Sequence, residues 1–118
     1  MIWAKLGSVL MFLAVALGAF GAHALRGKIS DYSLEVFKTA VLYHFIHALG
    51  LFVVAWLMNI HADPKLHWAG IFLLIGIILF SGSLYLLSVT GIKWLGAITP
   101  LGGLSFLTGW LFLFLAIQ

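Results

Sequence analysis

The chain has 118 residues, of which 64% are hydrophobic and only 8% are charged. So few charges cannot cover the surface of a soluble domain, and the composition indicates a protein whose solvent is the lipid bilayer. The net charge of +3, from six basic and three acidic residues, forms no clustered basic face, which excludes nucleic acid as a partner. The chain has no cysteine, which excludes disulfides, iron–sulfur clusters and thiolate zinc sites.

Four apolar segments are predicted to be membrane-spanning helices. A span needs about 20 mostly apolar residues, and suitable stretches lie at about residues 6–25, 36–59, 67–89 and 100–117. The short connections leave no room for a second domain, so residues 1–118 are expected to form a single membrane domain. The predicted fold class is all-α, an integral membrane four-helix bundle.

The first segment also has features of a signal peptide. Lys5 gives it a basic start, its middle is apolar, and Ala22-His23-Ala24 resembles an A-x-A cleavage site. Because the apolar stretch is long enough to cross a bilayer, we expect a spanning helix that is retained.

The second segment, residues 29–59, is longer than the hydrocarbon core. Ser30 or Ser33 is a candidate cap for its start, with Asp31 and Glu35 near the positive end of the helix dipole. At about 1.5 Å per residue it would reach ~40 Å, so its first turns are predicted to form an amphipathic start at the membrane interface.

The third and fourth segments are bounded by proline. Pro64 lies in a turn that ends the second helix, and the third span is predicted from about His67. Thr99 and Pro100 are predicted to begin the fourth helix, with Thr99 as N-cap and Pro100 at the first helical position.

Small residues on helices one, three and four permit close packing between helices. On helix one they include Gly7, Ala14 and Gly18, and on helix four Gly102 and Gly109. Two uses are consistent with the pattern: a tight monomeric bundle, which we favour, and a homo-oligomer that associates through one of these faces.

A polar stripe follows helix two at intervals of four residues. It consists of Glu35, Thr39, Tyr43 and His47. This stripe is predicted to face the bundle, while the opposite side is predicted to face lipid. The opposite side carries Phe37, Val41, Phe45 and Phe52, and His44 falls between the two.

The stripe and His23 are predicted to form a polar pocket between helices one and two, on one leaflet. The first connection is short, so the end of helix one and the start of helix two approach the same membrane surface. The candidate members are His23, Glu35, Tyr43, His47 and either Ser88 or Thr99. An ionisable group at membrane depth is a functional hypothesis by default.

Four interpretations of this pocket are open. The favoured one is interhelical hydrogen bonding by neutral histidines. The second is a small-molecule, lipid-headgroup or proton site. The third is a metal or haem site using His44, His47 and His23, with Glu35 as a fourth ligand. The fourth is acid–base catalysis, but nothing marks a nucleophile or an oxyanion hole. We therefore predict no enzyme activity, no metal and no cofactor.

Four short motifs, in order along the chain, resemble a known family. They are Gly-Ala-Phe-Gly-Ala-His-Ala-Leu at residues 18–25, Tyr43 with His47-Ala48-Leu49, Phe-Ser-Gly-Ser-Leu-Tyr at 80–85, and Gly-Ala-Ile-Thr-Pro-Leu-Gly-Gly at 96–103. The set is similar to a YwdK/YgdD-like family of small four-span bacterial membrane proteins of unknown function, with a related eukaryotic transmembrane protein.

The resemblance implies four spans and no established activity, and it extends the set of candidate pocket residues. Family-type positions are His23, Tyr43, His47, Ser81, Ser83, Tyr85, Thr99 and Pro100. Ser81 and Ser83 therefore join the candidate pocket with Thr99. His44 stands where the family commonly has Gln, which weakens the metal interpretation.

The basic residues predict an orientation in the cell (inner or plasma) membrane. Arg26, Lys28 and Lys93 lie on one side and Lys5 and Lys65 on the other, which favours both termini outside the cytoplasm. We expect a multi-pass protein in contact with membrane lipids, of unassigned biochemical role, that serves as a structural or accessory bundle. The alternative is a small-ligand, lipid or proton-handling protein.

Overall fold

Four long helices make up the computed structural model, which describes residues 1–117. Helix α1 spans Ile2–Leu25, α2 spans Asp31–Met58, α3 spans Pro64–Thr90 and α4 spans Thr99–Ala116, after a 3₁₀ helix over Lys93–Ala97. The described residues contain no strand. All four helices are long and apolar enough to cross a membrane, so the prediction of an all-α membrane four-helix bundle is confirmed.

Helix α3 begins at Pro64, three residues before the predicted start of the span. The Asp63 carboxylate accepts a hydrogen bond from the Lys65 backbone N–H at 2.8 Å and caps the helix, while Pro64 occupies its first turn. The same hydrogen bond holds the pKa of Asp63 below its usual range, because it favours the charged carboxylate. The polar residues at this end therefore extend the helix beyond its apolar span.

Helix α2 has the predicted cap and the predicted length. The Ser33 N–H donates to the Ser30 hydroxyl at 3.0 Å, and Asp31 lies in the first turn. Its 28 residues correspond to ~42 Å, longer than a hydrocarbon core of ~30 Å. Glu35 and Lys38 are exposed on its first turns, as an interfacial start requires.

The start of α4 differs from the prediction. Thr99 is the first helical residue rather than the N-cap; Ile98 occupies the cap position, and no side chain caps the helix. The Thr99 hydroxyl lies 2.7 Å from the Ser83 hydroxyl on α3 instead. A contact between helices has therefore replaced the local cap.

The predicted orientation of α2 is wrong over its first half. Glu35 and Thr39 are exposed and Tyr43 is 37% exposed, whereas Phe37 is only 3% exposed. The buried face consists of Phe37, Ala40, His44, His47, Ala48, Leu51, Val54 and Ala55. Packing of Phe37 beside Gly21 of α1 and the ring of Tyr85 sets this face, while Glu35 and Thr39 lie near the solvated helix end.

The small residues pack within the chain. A Cβ at Gly18 would lie 2.9 Å from Val41 on α2, and one at Gly102 would lie 2.7 Å from the Phe80 Cα on α3. Ala14 of α1 is fully buried as well. These faces bring α1 against α2 and α3 against α4 within the chain.

The apolar core lies toward the end of the bundle that holds both termini. Leu51 and Val54 of α2 and Leu66 and Leu73 of α3 are fully buried there. The Trp3 indole donates to His67 Nδ1 at 3.2 Å and joins α1 to α3 at the same end. The buried polar residues His47, Ser81 and Ser83 lie nearer the middle and the opposite end of the bundle.

Candidate functional site

His47 is buried near the middle of α2 and uses both of its ring nitrogens. The Trp110 indole N–H on α4 lies 3.0 Å from His47 Nε2, and His47 Nδ1 lies 2.7 Å from the Tyr43 carbonyl. An indole N–H can only donate and a carbonyl can only accept, so Nε2 accepts and the Nδ1–H donates. The two bonds define a neutral imidazole and join α2 to α4.

Aromatic rings surround His47. The Phe106 ring of α4 is stacked on the imidazole, with ring centroids 3.5 Å apart and planes 11° apart. The Phe80 ring of α3 packs against Tyr43 with centroids 4.4 Å apart. Three helices thus contribute rings to one cluster in the middle of the bundle.

A groove of about 630 Å³ lies beside these rings, between α2 and α4 with Phe80 of α3. Its ring-bearing wall consists of Tyr43, His47, Phe80, Phe106 and Trp110. The rest of its lining comes from Pro100, Gly103, Leu104 and Leu107 on α4. Tyr43 lines this groove, and its hydroxyl has no hydrogen-bond partner among residues 1–117.

The predicted serine and threonine residues join helices. The fully buried Ser81 donates to the Ala40 carbonyl of α2 at 2.8 Å. Ser83 donates to the Phe80 carbonyl at 3.0 Å, so the Thr99 hydroxyl is the donor in their 2.7 Å contact. Ser105 of α4, which the sequence analysis did not single out as polar, donates to the Phe72 carbonyl of α3 at 2.7 Å.

His44 is a second buried imidazole, which sequence reasoning placed between the two faces of helix two. It is 3% exposed, and its Nδ1 lies 2.8 Å from the Tyr85 hydroxyl of α3. Its Nε2 is buried and has no hydrogen-bond partner among the described residues. The signal was present in the sequence, since the helical spacing of Phe37, His44 and Leu51 places the three on one face.

His23 and Glu35 are not part of this polar region. His23 is exposed in the last turn of α1, and Glu35 is exposed and pairs with Lys38 at 3.5 Å. The predicted location of the pocket between helices one and two is therefore corrected: the polar contacts of His44, His47, Ser81 and Ser83 that join helices lie between α2 and α3, α3 and α4, and α2 and α4. Helix α1 instead packs on α2 through small residues such as Gly7 and Gly18, and its His23 is exposed near its end.

The metal hypothesis requires ligands that converge. Within residues 1–117 no group of three His, Asp or Glu side chains is placed to hold one ion. His44 and His47 each make a separate hydrogen bond to a different helix, at Tyr85 and Trp110.

Sequence reasoning missed Trp110 as a member of the site. It lies in an apolar helix, and no local pattern connects it to His47, which is 63 residues away in sequence. The available signal was chemical: a tryptophan in the middle of a span has an indole N–H that needs an acceptor.

Comparison with known proteins places the chain in one family. The family model described as "Protein of unknown function (DUF423)" matches residues 17–103. UPF0382 membrane protein YwdK of Bacillus subtilis (strain 168) is 54% identical over 112 residues, which cover 94% of this chain and 91% of the relative. UPF0382 membrane protein SH2409 of Staphylococcus haemolyticus (strain JCSC1435) is 45% identical over 111 residues, covering 94% and 90%. No solved structure gives a significant match.

These relatives are named membrane proteins, which agrees with four helices that are able to span a membrane, and the family has no known catalytic activity. The resemblance inferred from the four motifs is confirmed. The chain is a multi-pass integral protein of the cell membrane, and it belongs to the family of uncharacterised UPF0382 (DUF423) membrane proteins.

Proposed function

We propose that the protein is a structural or accessory component of the membrane, and that its buried polar side chains hold its helices in register. The observation that carries this proposal is the pair of hydrogen bonds made by His47, through Nδ1 to Tyr43 and through Nε2 to Trp110. An imidazole with both nitrogens engaged has no site left for a substrate, proton or metal.

The hydroxyl groups support the same function. Ser81, Ser83 and Ser105 each donate to a carbonyl, and the contacts of Ser81 and Ser105 cross from one helix to another. Hydrogen bonds of this kind are a recognised source of helix association in membranes. Catalysis has less support in this arrangement, because His47, the candidate base, is hydrogen-bonded at both ring nitrogens and no nucleophile among residues 1–117 is paired with it.

The test compares folding with biological activity in the same variants. Ser81→Ala removes a bond between helices, while Thr108→Val removes only a bond to the Leu104 carbonyl of its own helix. We expect Ser81→Ala to lower the melting temperature in nanodiscs and Thr108→Val to leave it unchanged. In competition against wild-type cells, the fitness of each strain should follow the amount of folded protein. A His47 or Ser81 variant that melts like the wild type yet fails to replace it would overturn the proposal.

A second candidate function is a small-ligand, lipid or proton-handling protein. The specific observation in its favour is the ring-lined groove, which is lined in part by Tyr43, a residue whose hydroxyl makes no hydrogen bond among the described residues. We also propose that both termini lie outside the cytoplasm, from the excess of basic residues at the opposite end.

A further inference from the structure

The ring-lined groove is the feature of the bundle that the architectural function does not explain. Tyr43 and Trp110 are 37% and 36% exposed although both lie in spanning helices, so their rings face the lipid side of the groove. Its volume of about 630 Å³ lies within the ~300–1,000 Å³ typical of small-molecule sites.

The aromatic wall favours a planar ring as the occupant. His47 and Phe106 are buried and stacked on each other with planes 11° apart, whereas Tyr43 and Trp110 keep 37% and 36% of their surface exposed along the groove. The exposed rings of Tyr43 and Trp110 stack best against another conjugated ring. A flexible acyl chain gains no comparable advantage from this geometry.

The Tyr43 hydroxyl favours a ring that carries a hydrogen-bond acceptor. Tyr43 lies 12 residues after Asp31 on α2, ~18 Å along a helix that rises ~1.5 Å per residue, and is therefore close to the helix midpoint. A hydroxyl at this depth lacks water, and its partner must come from the protein or from a molecule dissolved in the bilayer. A carbonyl oxygen on the occupant would accept this hydrogen bond.

The remaining wall favours an occupant that arrives from the bilayer. Leu104 and Leu107 are 60% and 67% exposed, so the groove opens sideways between α2 and α4 rather than toward either aqueous surface. A molecule that enters by this route is lipid-soluble and carries an apolar tail.

His47 has a positioning role in this groove. Its Nε2 accepts from the Trp110 indole at 3.0 Å and fixes the orientation of that ring at the rim. The architectural hydrogen bond and the shape of the groove therefore depend on the same side chain.

We propose that the groove between α2 and α4 binds the head ring of a quinone-type lipid, with the Tyr43 hydroxyl donating to a ring carbonyl and the ring stacked against the aromatic wall. The inference goes beyond the architectural function. It concerns binding alone and includes no electron transfer.

The test uses ¹⁹F NMR of protein labelled with 5-fluorotryptophan in phosphatidylcholine–phosphatidylglycerol nanodiscs. Decylubiquinone is the probe, and Trp110→Phe assigns the resonance of Trp110. We expect the Trp110 resonance to shift saturably while that of the distant Trp94 does not. Tyr43→Phe should weaken the apparent affinity about tenfold, the scale of one hydrogen bond. Tyr32→Phe, at an exposed tyrosine outside the groove, is the matched control and should bind like the wild type.

A second variant protects the test against a folding defect in Tyr43→Phe. Gly103 lines the groove, and a Cβ there would meet only Phe80 Cδ2 at 4.0 Å. Gly103→Leu should fill the groove and abolish the Trp110 shift without touching Tyr43.

Three results would overturn the inference. One is a Trp110 shift that rises linearly with the probe, as simple partitioning into lipid predicts. Another is equal affinity for decylbenzene, which has no carbonyl and would show that the groove accepts any apolar chain. The third is a shift that depends on the protein-to-lipid ratio and not on the probe, which would assign the groove to a second copy of the chain.

Discussion

Two histidines three residues apart on α2 have different hydrogen-bond environments. His47 has a partner at each ring nitrogen, whereas His44 has the Tyr85 hydroxyl at Nδ1 and no partner at its buried Nε2 among the described residues. A buried polar atom without a partner has a cost in free energy. Loss of the one hydrogen bond of His44 should therefore lower the free energy of unfolding more clearly than loss of one of the two bonds of His47.

The variant Tyr85→Phe removes that bond and leaves the imidazole of His44 without its Nδ1 partner. We expect the free energy of unfolding to fall by about 0.5–2 kcal/mol. The expected loss is modest because hydrogen bonds between helices in a membrane stabilise a protein less than a purely apolar medium would predict. Reversible unfolding in mixed micelles measures the change. The matched control is Tyr32→Phe at an exposed position. Equal stability of the two variants would show that the His44–Tyr85 contact contributes nothing.

At this scale the sequence predicted part of the site. The inward position of His47 followed from its place in the stripe, but the stripe drifts by ~40° at each step of four residues, so Glu35 and His47 face different surroundings. The identity of its partner, Trp110, depends on how α4 packs on α2, and no local pattern contains that information.

At the scale of elements, a close backbone contact joins α3 to α4 at Gly102. A Cβ added there would collide with the backbone N of Phe80 and lie 2.7 Å from its Cα. Phe80 lies in a π-helical segment, Ile77–Ser81, and the hydroxyl of Ser81 bonds to α2 from the same segment. A rigid backbone contact of this kind has no side chain that can move aside.

We therefore expect Gly102→Ala to destabilise the bundle by about 1–3 kcal/mol, the usual effect of overpacking. The adjacent Gly103→Ala is the control, because its Cβ would have Phe80 Cδ2 at 4.0 Å as its nearest neighbour. Both changes raise helix propensity by the same amount. The difference between their unfolding free energies therefore measures the effect of the contact between position 102 and the Phe80 backbone. No difference between the two variants would contradict the structural account.

The existence of the four helices and the cap of α2 at Ser30 were predictable, but the start of α3 was not. Hydropathy marks the stretch that matches the hydrocarbon, whereas a helix continues for as long as its ends are capped. This is why α3 begins at Pro64, where Asp63 caps it. The two π-helical segments, Ala16–Gly21 and Ile77–Ser81, have no signature in the hydrophobic pattern.

For the whole molecule, the largest dimension is 49 Å, compared with ~40–45 Å for a bilayer that includes its headgroups. The first and third connections lie at one end, with Arg26, Lys28 and Lys93, and both termini lie near the other. The distribution of these charges is the basis for the proposed orientation.

Cysteine labelling tests that orientation directly, because the chain has no cysteine of its own. Ala62→Cys places an exposed thiol at the end that holds the termini, and Ala97→Cys places one at the opposite end. A membrane-impermeant maleimide added to intact cells is expected to label Ala62→Cys and not Ala97→Cys. The reverse pattern would place both termini in the cytoplasm.

The central claim is that polar contacts between helices hold the bundle together, and the His47–Trp110 bond is the most direct place to test it. His47→Phe keeps a ring that can stack on Phe106 but leaves the Trp110 indole N–H without its acceptor. Trp110→Phe leaves His47 Nε2 without its donor instead. The double variant removes both polar groups, and replacing both partners with apolar groups is often nearly neutral.

The measurement is the free energy of unfolding of the wild type, the two single variants and the double variant. We predict that each single variant loses about 0.5–2 kcal/mol, and that the double variant loses no more than the worse of the two. Losses that add, or single variants as stable as the wild type, would contradict the claim that this hydrogen bond holds α2 and α4 together.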